Sequence, residues 1–329
     1  MPTIDYRSEL QCLVAVRGHP FDRNGFAAMF EGMEGIAVTM VDQPAAALLM
    51  NPEGMRDFDA LVLYDMPGLD FDAPDHPPAY VDPPKALVEG LPALLEEGKG
   101  IVALHHALAG WPTWDFYAEL LGGRFLYHPG KVRGREALDS GYAHEVTQRL
   151  TPVQGHPVTQ GLPESFTLTD EPYLAEIFAD DVTPLLHSDA VFTRDHFFSA
   201  QHAVRGEMYS REGWDHAPGT NLVGWAREAG RSRLVYLQPG DGAGAYEDPH
   251  YRRLVENAIR SPAMNRRNSL FAGHDEGGRN WARFASLIGT CKMNSVEPYA
   301  YLRDLFTKLA NGHLAQNIDH LMPWAYANQ

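Results

Sequence analysis

Short apolar stretches alternate with helix-like spacing along the first 104 residues. Residues 11–16 (QCLVAV), 36–41 and 60–64 are apolar and rich in β-branched side chains, which predicts three strands. The segments between them place apolar residues three and four positions apart, which predicts helices. Residues 100–104 (GIVAL) contain no polar side chain, as is typical of a strand covered on both faces. This alternation predicts an α/β fold built on a parallel sheet.

The pattern changes in the second half of the chain. Residues 124–215 contain turns, short strands and many histidines, and their spacing does not order the strands. Residues 221–225 and 233–237 predict an antiparallel pair across a tight turn, and residues 248–260 predict a closing helix. Residues 262–329 carry a net charge of about +2, against about −18 before them, and this shift predicts two domains, 1–260 and 261–329.

The composition limits the classes of partner. A 329-residue chain with 44% hydrophobic residues can bury a sizeable core, and its net charge of −16 argues against nucleic acid as a partner of the main domain. Cys12 and Cys291 are too few for a disulfide framework, so we expect two core thiols in a reducing cytoplasm. Since neither a leader-like start nor an apolar run of about 18 residues occurs, we expect neither export nor a membrane span.

Polar side chains follow the predicted parallel strands at the points where they end. His19 follows the first strand, Asp65 the third, His105 and His106 the fourth, and Asp241 the last. Because ligands of open α/β sheets bind beyond the carboxyl ends of the strands, we expect these groups to line one small-molecule site. Imidazoles and carboxylates held together in a cleft are suited to acid–base chemistry.

Other candidates also have a structural interpretation. Asp170, Glu171 and Tyr173 end a predicted strand and either bind a ligand or form a capping turn. Trp114 either stacks on a sugar ring or belongs to the core. His128 is one of several scattered histidines that are structural or functional. No HExxH pattern or close His/Cys cluster occurs, so the sequence does not define a metal site.

Seven short motifs occur in a fixed order along residues 10–260. They are GHPFD at 18–22, YDMPG at 64–68, GKG at 98–100 leading to LHHA at 104–107, GGRF at 122–125, HPV at 156–158, DEPY at 170–173 and LQPGD at 237–241. Together they resemble the trehalose-utilisation (ThuA-like) family and are far more specific than any one of them. The resemblance implies a flavodoxin-like, doubly wound and mostly parallel sheet related to class I glutamine amidotransferases.

In those amidotransferases a cysteine at the strand-to-helix elbow is the nucleophile. Here His105 and His106 occupy that elbow, Cys12 lies inside the first strand and Cys291 lies beyond the domain. We therefore expect no cysteine-dependent amidotransferase activity. ThuA-like proteins are linked to the catabolism of trehalose and related disaccharides, including oxidised intermediates, so the implied partner is a polyhydroxylated sugar.

The implied chemistry is proton transfer on such a sugar, in an isomerase, lyase or hydrolase. His105 or His106 would move a proton next to a carbonyl or glycosidic carbon, with Glu171 as the second acid or base. Hydroxyl groups would be oriented by Asp65, Tyr173 and His19.

Two alternatives remain open at this point. In a metal-assisted version, the same histidines bind a divalent ion together with Glu171 or Asp241, and the ion polarises a sugar carbonyl. In the other, the domain is a non-catalytic sugar-binding or sensory module on an enzyme-like fold. Such domains are usually dimers, so the expected assembly is a homodimer.

The last 65 or so residues resemble a different protein. Their motifs are NRRNSLFAG at 265–273, DEGG at 275–278, ASLI at 285–288, TCK at 290–292, VEPYAYL at 296–302 and LMPW at 321–324. Over residues 262–329 they resemble the C-terminal element of insertion-sequence sixty-six family transposases.

The two resemblances meet within one short segment. The stretch ENAIR at 256–260 resembles both the segment that precedes this element in the transposases and the closing helix of ThuA-like proteins. Nothing upstream resembles a transposase nuclease core, so we expect a fusion without DNA cleavage. Helical periodicity in residues 281–290 and 297–310, with Pro298 in a first turn, predicts a short α-helical appendage.

Overall fold

The computed structural model describes residues 7–74, 78–269, 275–311 and 319–326, with the backbone alone described for 262–282 and residue 285 within these ranges. Three sequence features lie wholly or partly outside them: the start of the chain, the proline- and aspartate-rich segment 69–84, and the NRRNSLFAG motif. The chain divides into two compact units, Met1–Arg266 and Arg267–Gln329. The predicted boundary at residue 260 falls inside the helix Pro249–Ser269.

A nine-stranded sheet forms the centre of the first unit. Its strands are β1 (Leu10–Arg17), β2 (Ile36–Asp42), β3 (Ala60–Asp65), β4 (Gly100–Leu104), β5 (Val146–Pro152), β6 (Phe166–Asp170), β7 (Thr183–Ser188), β8 (Leu222–Ala229) and β9 (Ser232–Leu237). Five strands in the order β2-β1-β3-β4-β9 are parallel. The sheet then continues antiparallel through β8, β7, β5 and β6. The predicted fold class and the β8–β9 pair are confirmed.

Helices cover both faces of the sheet, as a doubly wound fold requires. The helices of this unit are α1 (Arg23–Glu31), α2 (Ala45–Leu49), α3 (Lys85–Glu96), α4 (Asp115–Leu121), α5 (Ala200–Val204), α6 (Ala243–Glu247) and α7 (Pro249–Ser269). Apolar side chains of α1 and α7 pack in one core, and those of α2, α3 and α4 pack in the other. Among the described residues, no helix is both long and apolar enough to cross a lipid bilayer.

The fourth strand lies inside the sheet, as its composition predicts. All five residues of β4 are buried between β3 and β9. The chain then turns sharply, because His105 has a φ of 42° and begins a 3₁₀ helix, His105–Ala109. This turn fixes two adjacent imidazoles at the carboxyl end of the parallel strands.

Short elements connect the main strands. The two- and three-residue strands are Leu69–Asp70 with Ala79–Tyr80, Gly123–Arg124 with Glu176–Ile177, Gly130–Val132 with Arg135–Ala137, and Gly141–Tyr142 between Tyr173–Leu174 and Phe198–Ser199. Further 3₁₀ helices are Pro157–Thr159, Ala179–Asp181 and Arg194–His196.

In the part of the second unit that the structure describes, a short third helix follows the two predicted ones. The three helices are α8 (Asp275–Met293), α9 (Pro298–Ala310) and α10 (Pro323–Tyr326). Pro298 occupies the first turn of α9, as expected, and Glu297 caps this helix by accepting the backbone N–H groups of residues 299 and 300. Cys291, Val296 and Tyr301 are among the residues of a small apolar core.

Candidate functional site

A close contact between two strand ends positions His19. Gly18 has a φ of 104°, and a Cβ at this position would lie 2.3 Å from the carbonyl oxygen of Met66. Only glycine fits such an approach without strain. The next residue, His19, therefore lies with His105, His106, Glu171 and Asp241 at the rim, the edge formed by the carboxyl ends of the parallel strands. Its ring centroid lies 4.7 Å from that of His106.

The turn after β9 is held from three sides. The Asp170 carboxylate accepts the backbone N–H groups of Gly240 at 2.6 Å and Asp241 at 3.2 Å. The hydroxyl of Tyr64 donates to the Gly240 carbonyl at 2.9 Å, and that of Tyr246 donates to the Asp241 carbonyl at 2.9 Å. Because the backbone is fixed in this way, the Asp241 side chain has a defined place on the rim. Asp170 is thus a positioning residue in this structure.

His105 lies between a carbonyl and two carboxylates. Its Nδ1 is 2.6 Å from the Gln238 carbonyl oxygen, which only accepts, so Nδ1 carries a proton. Its Nε2 lies 3.2 Å from Glu171 Oε2 and 3.4 Å from Asp241 Oδ1. Burial disfavours the charged ring, but the hydrogen bonds to Asp241 and Glu171 outweigh it and raise the pKa of His105 to about 10.

The contact with His105 lowers the pKa of the Asp241 carboxyl. Burial alone would raise the pKa of the Asp241 carboxyl, but the hydrogen bond and charge of His105 outweigh burial and hold this pKa well below its usual range. His105 and Asp241 therefore form an ion pair at neutral pH.

His106 is buried and keeps one nitrogen without a partner. Its Nε2 lies 3.2 Å from the Tyr64 carbonyl oxygen, so Nε2 carries the proton. Its Nδ1 is buried with no hydrogen-bond partner among the described residues. Burial, followed by the charges of His105 and His19, lowers the pKa of His106 well below its usual value. His106 is therefore a neutral imidazole with a free lone pair.

His19 has a similar arrangement. Its Nδ1 lies 2.8 Å from the Pro20 carbonyl oxygen, which leaves Nε2 as the nitrogen with a lone pair. Burial and the charge of His105 lower the pKa of His19. One ligand atom from each of His19, His106 and Asp241 lies within 4.8 Å of the others, and the same holds for His105, Glu171 and Asp241. Either group has the donor atoms for a metal ion.

Glu171 also contacts His144, one of the scattered histidines of residues 124–215. The Glu171 carboxylate contacts His105 through Oε2, and its Oε1 lies 3.4 Å from Nδ1 of His144. His105 is 0% exposed and His106 1%, whereas Glu171 is 7% exposed and the Asp241 side chain 29%. Among these groups, the carboxylates are the ones that a ligand can approach.

The other candidates lie in different surroundings. The ring of Tyr173 packs 4.4 Å from that of His105, beside the rim. Trp114 stacks on Phe116 with ring centroids 5.0 Å apart and packs against a core cluster. His128 contacts the Pro78 carbonyl oxygen at 3.1 Å. The contacts of Trp114 and His128 are thus those of structural residues.

Asp65 ends β3 but has a different partner. It is 1% exposed, its Oδ2 accepts the side-chain amide of Gln43 at 2.6 Å, and its Oδ1 has no hydrogen-bond partner among the described residues. Tyr64, one residue earlier, packs against His106 with ring centroids 4.3 Å apart. Since successive side chains of a strand point to opposite faces, Asp65 points away from the histidines.

Asp65 lowers the stability of the protein at neutral pH. Burial raises the pKa of Asp65 to about 6, and the hydrogen bond from Gln43 opposes this only in part. Since the unfolded carboxyl has a pKa of about 3.9, its contribution is fully favourable below that pKa and is lost as the pH rises through about 6. We expect Asp65→Asn to unfold with a free energy about 2–3 kcal/mol higher than wild type at pH 8. This gain should shrink toward zero near pH 4.

Urea unfolding between pH 4 and pH 8 measures this difference. Burial, followed by the charge of Asp65, raises the pKa of Tyr117 well above its usual value, so this neighbour stays uncharged over the range. The exposed Asp57 is a matched control, because Asp57→Asn should change the free energy of unfolding by less than about 0.5 kcal/mol at every pH. A gain for Asp65→Asn that is independent of pH would contradict the assignment.

Neither cysteine is placed to act as a nucleophile at the rim. Cys12 is buried inside β1, and burial raises the pKa of its thiol to about 12, so the thiolate that a nucleophile requires is not formed. Cys291 belongs to the core of the second unit. The elbow after β4 is occupied by His105, as the sequence indicates.

The sheet and its rim define a class of protein: a doubly wound α/β domain with imidazoles and carboxylates beyond the carboxyl ends of its parallel strands. The sequence model of the ThuA family, described as trehalose utilisation, matches residues 18–260, and the chain belongs to this family. Residues 286–324 match the IS66 C-terminal element. Both resemblances are thereby confirmed.

A solved structure of a ThuA-like protein supports this fold. A protein from Parabacteroides merdae described as ThuA-like is similar with a TM-score of 0.53 and 13% identity, over 78% of this chain and 90% of that one. A glutamine amidotransferase from Thermotoga maritima is similar with a TM-score of 0.40 and 9% identity, over 78% and 98% of the two chains.

Curated relatives match a short part of the chain. An uncharacterized protein of Sinorhizobium fredii, y4qI, is 49% identical over 73 residues, which are 22% of this chain and 14% of that protein. A second one, y4jD, is 38% identical over 72 residues, again 14% of its length. The chain thus spans about a seventh of the length of these relatives.

Proposed function

We propose that this ThuA family protein binds a keto-derivative of trehalose or of a related disaccharide at the rim and shifts a proton on the carbon beside its carbonyl. The observation that carries the proposal is the convergence of His19, His105, His106, Glu171 and Asp241 beyond the ends of the parallel strands. The family description, trehalose utilisation, supports a sugar as the ligand. A group of acids and bases in contact with one another supports proton transfer.

Glu171 is the proton carrier in this proposal. Its carboxylate takes the proton from the carbon, and the electron pair of the C–H bond moves to the carbonyl oxygen to give an enediolate. Glu171 then returns the proton to the neighbouring carbon of the enediolate while the hydroxyl proton passes from one enediolate oxygen to the other, so the product is an isomer of the substrate. His105 is completely buried and acts through Glu171 and Asp241 as a positioning residue.

The surroundings of Glu171 support this role. His105 and His144 contact opposite oxygens of its carboxylate, which fixes the plane in which the group can accept a proton. Tyr173 packs against His105 and His19 packs against His106, and these two side chains are the groups proposed to orient sugar hydroxyls.

Deuterium exchange tests the proposal. The full chain is incubated with keto-disaccharides in deuterated water, and loss of the proton signal beside the carbonyl is followed by NMR. We expect Glu171→Gln to slow this exchange by on the order of a hundredfold, because removal of a general base costs at least that much. The dissociation constant of the sugar should change less than about threefold, because the amide keeps the shape of the side chain.

Glu119→Gln is the matched control. The Glu119 carboxylate pairs with Arg133, and among the described residues it makes no contact with the rim histidines, so this change should leave exchange intact. Exchange in Glu171→Gln at the rate of wild type would overturn the assignment of the base. Sugar binding without exchange in the wild type would overturn proton transfer and favour a non-catalytic binding module.

A further inference from the structure

We infer that His19, His106 and Asp241 bind a divalent first-row transition-metal ion such as Zn²⁺. The site stands on its own geometry, whereas its use in polarising a sugar carbonyl rests on the proposed function. One ligand atom from each of the three side chains lies within 4.8 Å of the others. Two imidazoles and one carboxylate form a donor set that such ions prefer.

Backbone carbonyls hold the rim histidines in the orientation that metal ligands require. His19 donates its Nδ1 proton to the Pro20 carbonyl, and His106 donates its Nε2 proton to the Tyr64 carbonyl. In metal sites the second ring nitrogen is usually bonded in this way, which fixes the tautomer and directs the lone pair toward the ion. Each imidazole therefore offers a lone pair, on Nε2 of His19 and on Nδ1 of His106.

The unpartnered nitrogen of His106 is the second observation. His106 is 1% exposed, and its Nδ1 has no hydrogen-bond partner among the described residues. Buried polar atoms are nearly always paired, so an unpartnered nitrogen on a residue of this ligand group indicates a partner other than the described residues. A metal ion at Nδ1 satisfies this atom.

The third ligand is held rigidly in place. Asp170 accepts the backbone N–H groups of Gly240 and Asp241, and Tyr64 and Tyr246 donate to the carbonyls of the same turn. The Asp241 carboxylate is thus presented to the histidines before an ion binds, which lowers the entropic cost of binding. Three protein ligands leave open coordination positions, as is typical of catalytic rather than structural sites.

The neighbouring group of His105, Glu171 and Asp241 is a weaker candidate. Nε2 of His105 already lies 3.2 Å and 3.4 Å from the two carboxylates, so an ion there would replace existing contacts. At His106 an ion would instead bind Nδ1, which has no hydrogen-bond partner among the described residues. An ion held by His19, His106 and Asp241 shares Asp241 with this group and lies next to Glu171, the proposed base.

This arrangement extends the proposed reaction. A carbonyl oxygen of the sugar would occupy an open position on the ion, which draws electron density from the carbonyl and makes the neighbouring C–H more acidic. Glu171 then takes the proton as proposed above. The ion is neither oxidised nor reduced, and the proton is returned to the sugar, so no further reactant is needed.

Metal binding to the full chain tests the site without any sugar. Protein treated with a chelator and dialysed is titrated with Zn²⁺ by calorimetry, and with Co²⁺ by visible absorption, which reports the coordination geometry. We expect one ion per chain, and at least a tenfold weaker affinity in both His19→Ala and Asp241→Asn. His187→Ala is the control, because this half-buried ring contacts the Asn221 side chain outside the rim and its loss should not change the affinity.

Several outcomes would overturn the inference. Absence of stoichiometric binding of both ions would remove the site, and unchanged affinity in either variant would remove that residue as a ligand. A loss of affinity in Glu171→Gln together with unchanged affinity in His19→Ala would place the ion in the His105 group instead. Metal binding without deuterium exchange would contradict the proposed function and leave the metal site intact. Full exchange in metal-free protein would contradict only the role of the ion in the reaction.

Discussion

Gly240→Ala is expected to lower the free energy of unfolding by about 4 kcal/mol and to displace Asp241 from the rim. Gly240 has a φ of 128°, a conformation that L side chains rarely adopt. A Cβ at this position would also lie 2.2 Å from the hydroxyl oxygen of Tyr251, which belongs to a fully buried ring on α7. The rigid ring has no room to move aside, so backbone strain and steric overlap add together.

Denaturant unfolding and calorimetric Zn²⁺ titration measure the two parts of this effect. The melting temperature should fall by roughly 10 °C, and binding at the rim should weaken together with stability. Gly155→Ala is the matched control, since its φ is 91° but nothing lies within 4 Å of a Cβ there. That change carries the backbone strain alone and should cost about 1–2 kcal/mol. Equal losses in the two variants would show that Tyr251 does not restrict the turn.

The parallel half of the fold follows from local sequence patterns. Apolar runs locate β1 to β4, and the alternation with helices implies that their carboxyl ends share one edge. The position of polar residues at the strand ends therefore predicts that they lie close together. His19, His105, His106 and Asp241 do meet. This step works because the geometry of a parallel sheet is the same in every such fold.

The antiparallel half could not be ordered in the same way. Strands β5, β6 and β7 pair with partners that the chain reaches after long connections, and nothing in a short window of sequence encodes such a pairing. The contribution of His144 depends on this half, since it precedes β5 and meets Glu171, which follows β6. No local pattern distinguishes His144 from the other scattered histidines.

The alternation of side chains along β3 distinguishes Asp65 from the rim residues. Asp65 follows a strand, as the rim residues do, but alternation along β3 places Tyr64 on the histidine side and Asp65 on the other. Counting side chains along the strand would have separated the two positions. Trp114 and His128 carry no such periodic signal, because each lies in an irregular segment whose packing is decided by distant residues.

Lys99→Met is expected to lower the free energy of unfolding by about 2–3 kcal/mol. Lys99 is 0% exposed and directly precedes β4, and its ammonium group donates to the carbonyl oxygens of Met55, at 2.6 Å, and of Phe58. Methionine keeps the apolar part of the side chain but removes the donors, so the Phe58 carbonyl loses the ammonium group and the Met55 carbonyl keeps the backbone N–H of Phe58, at 3.1 Å. Denaturant unfolding followed by circular dichroism measures the loss.

Lys85→Met separates this effect from the substitution itself. Lys85 lies in the first turn of α3, where its side chain is 87% exposed and pairs with Glu89 at 3.4 Å. Exposed pairs of this kind contribute about 0.3–0.5 kcal/mol, so the same change should be nearly neutral there. If Lys99→Met were equally mild, the segment before β3 would have to satisfy its carbonyls by itself or with water. The lysine in the GKG motif would then be dispensable for folding, and any requirement for it would have to come from a contact other than these two carbonyls.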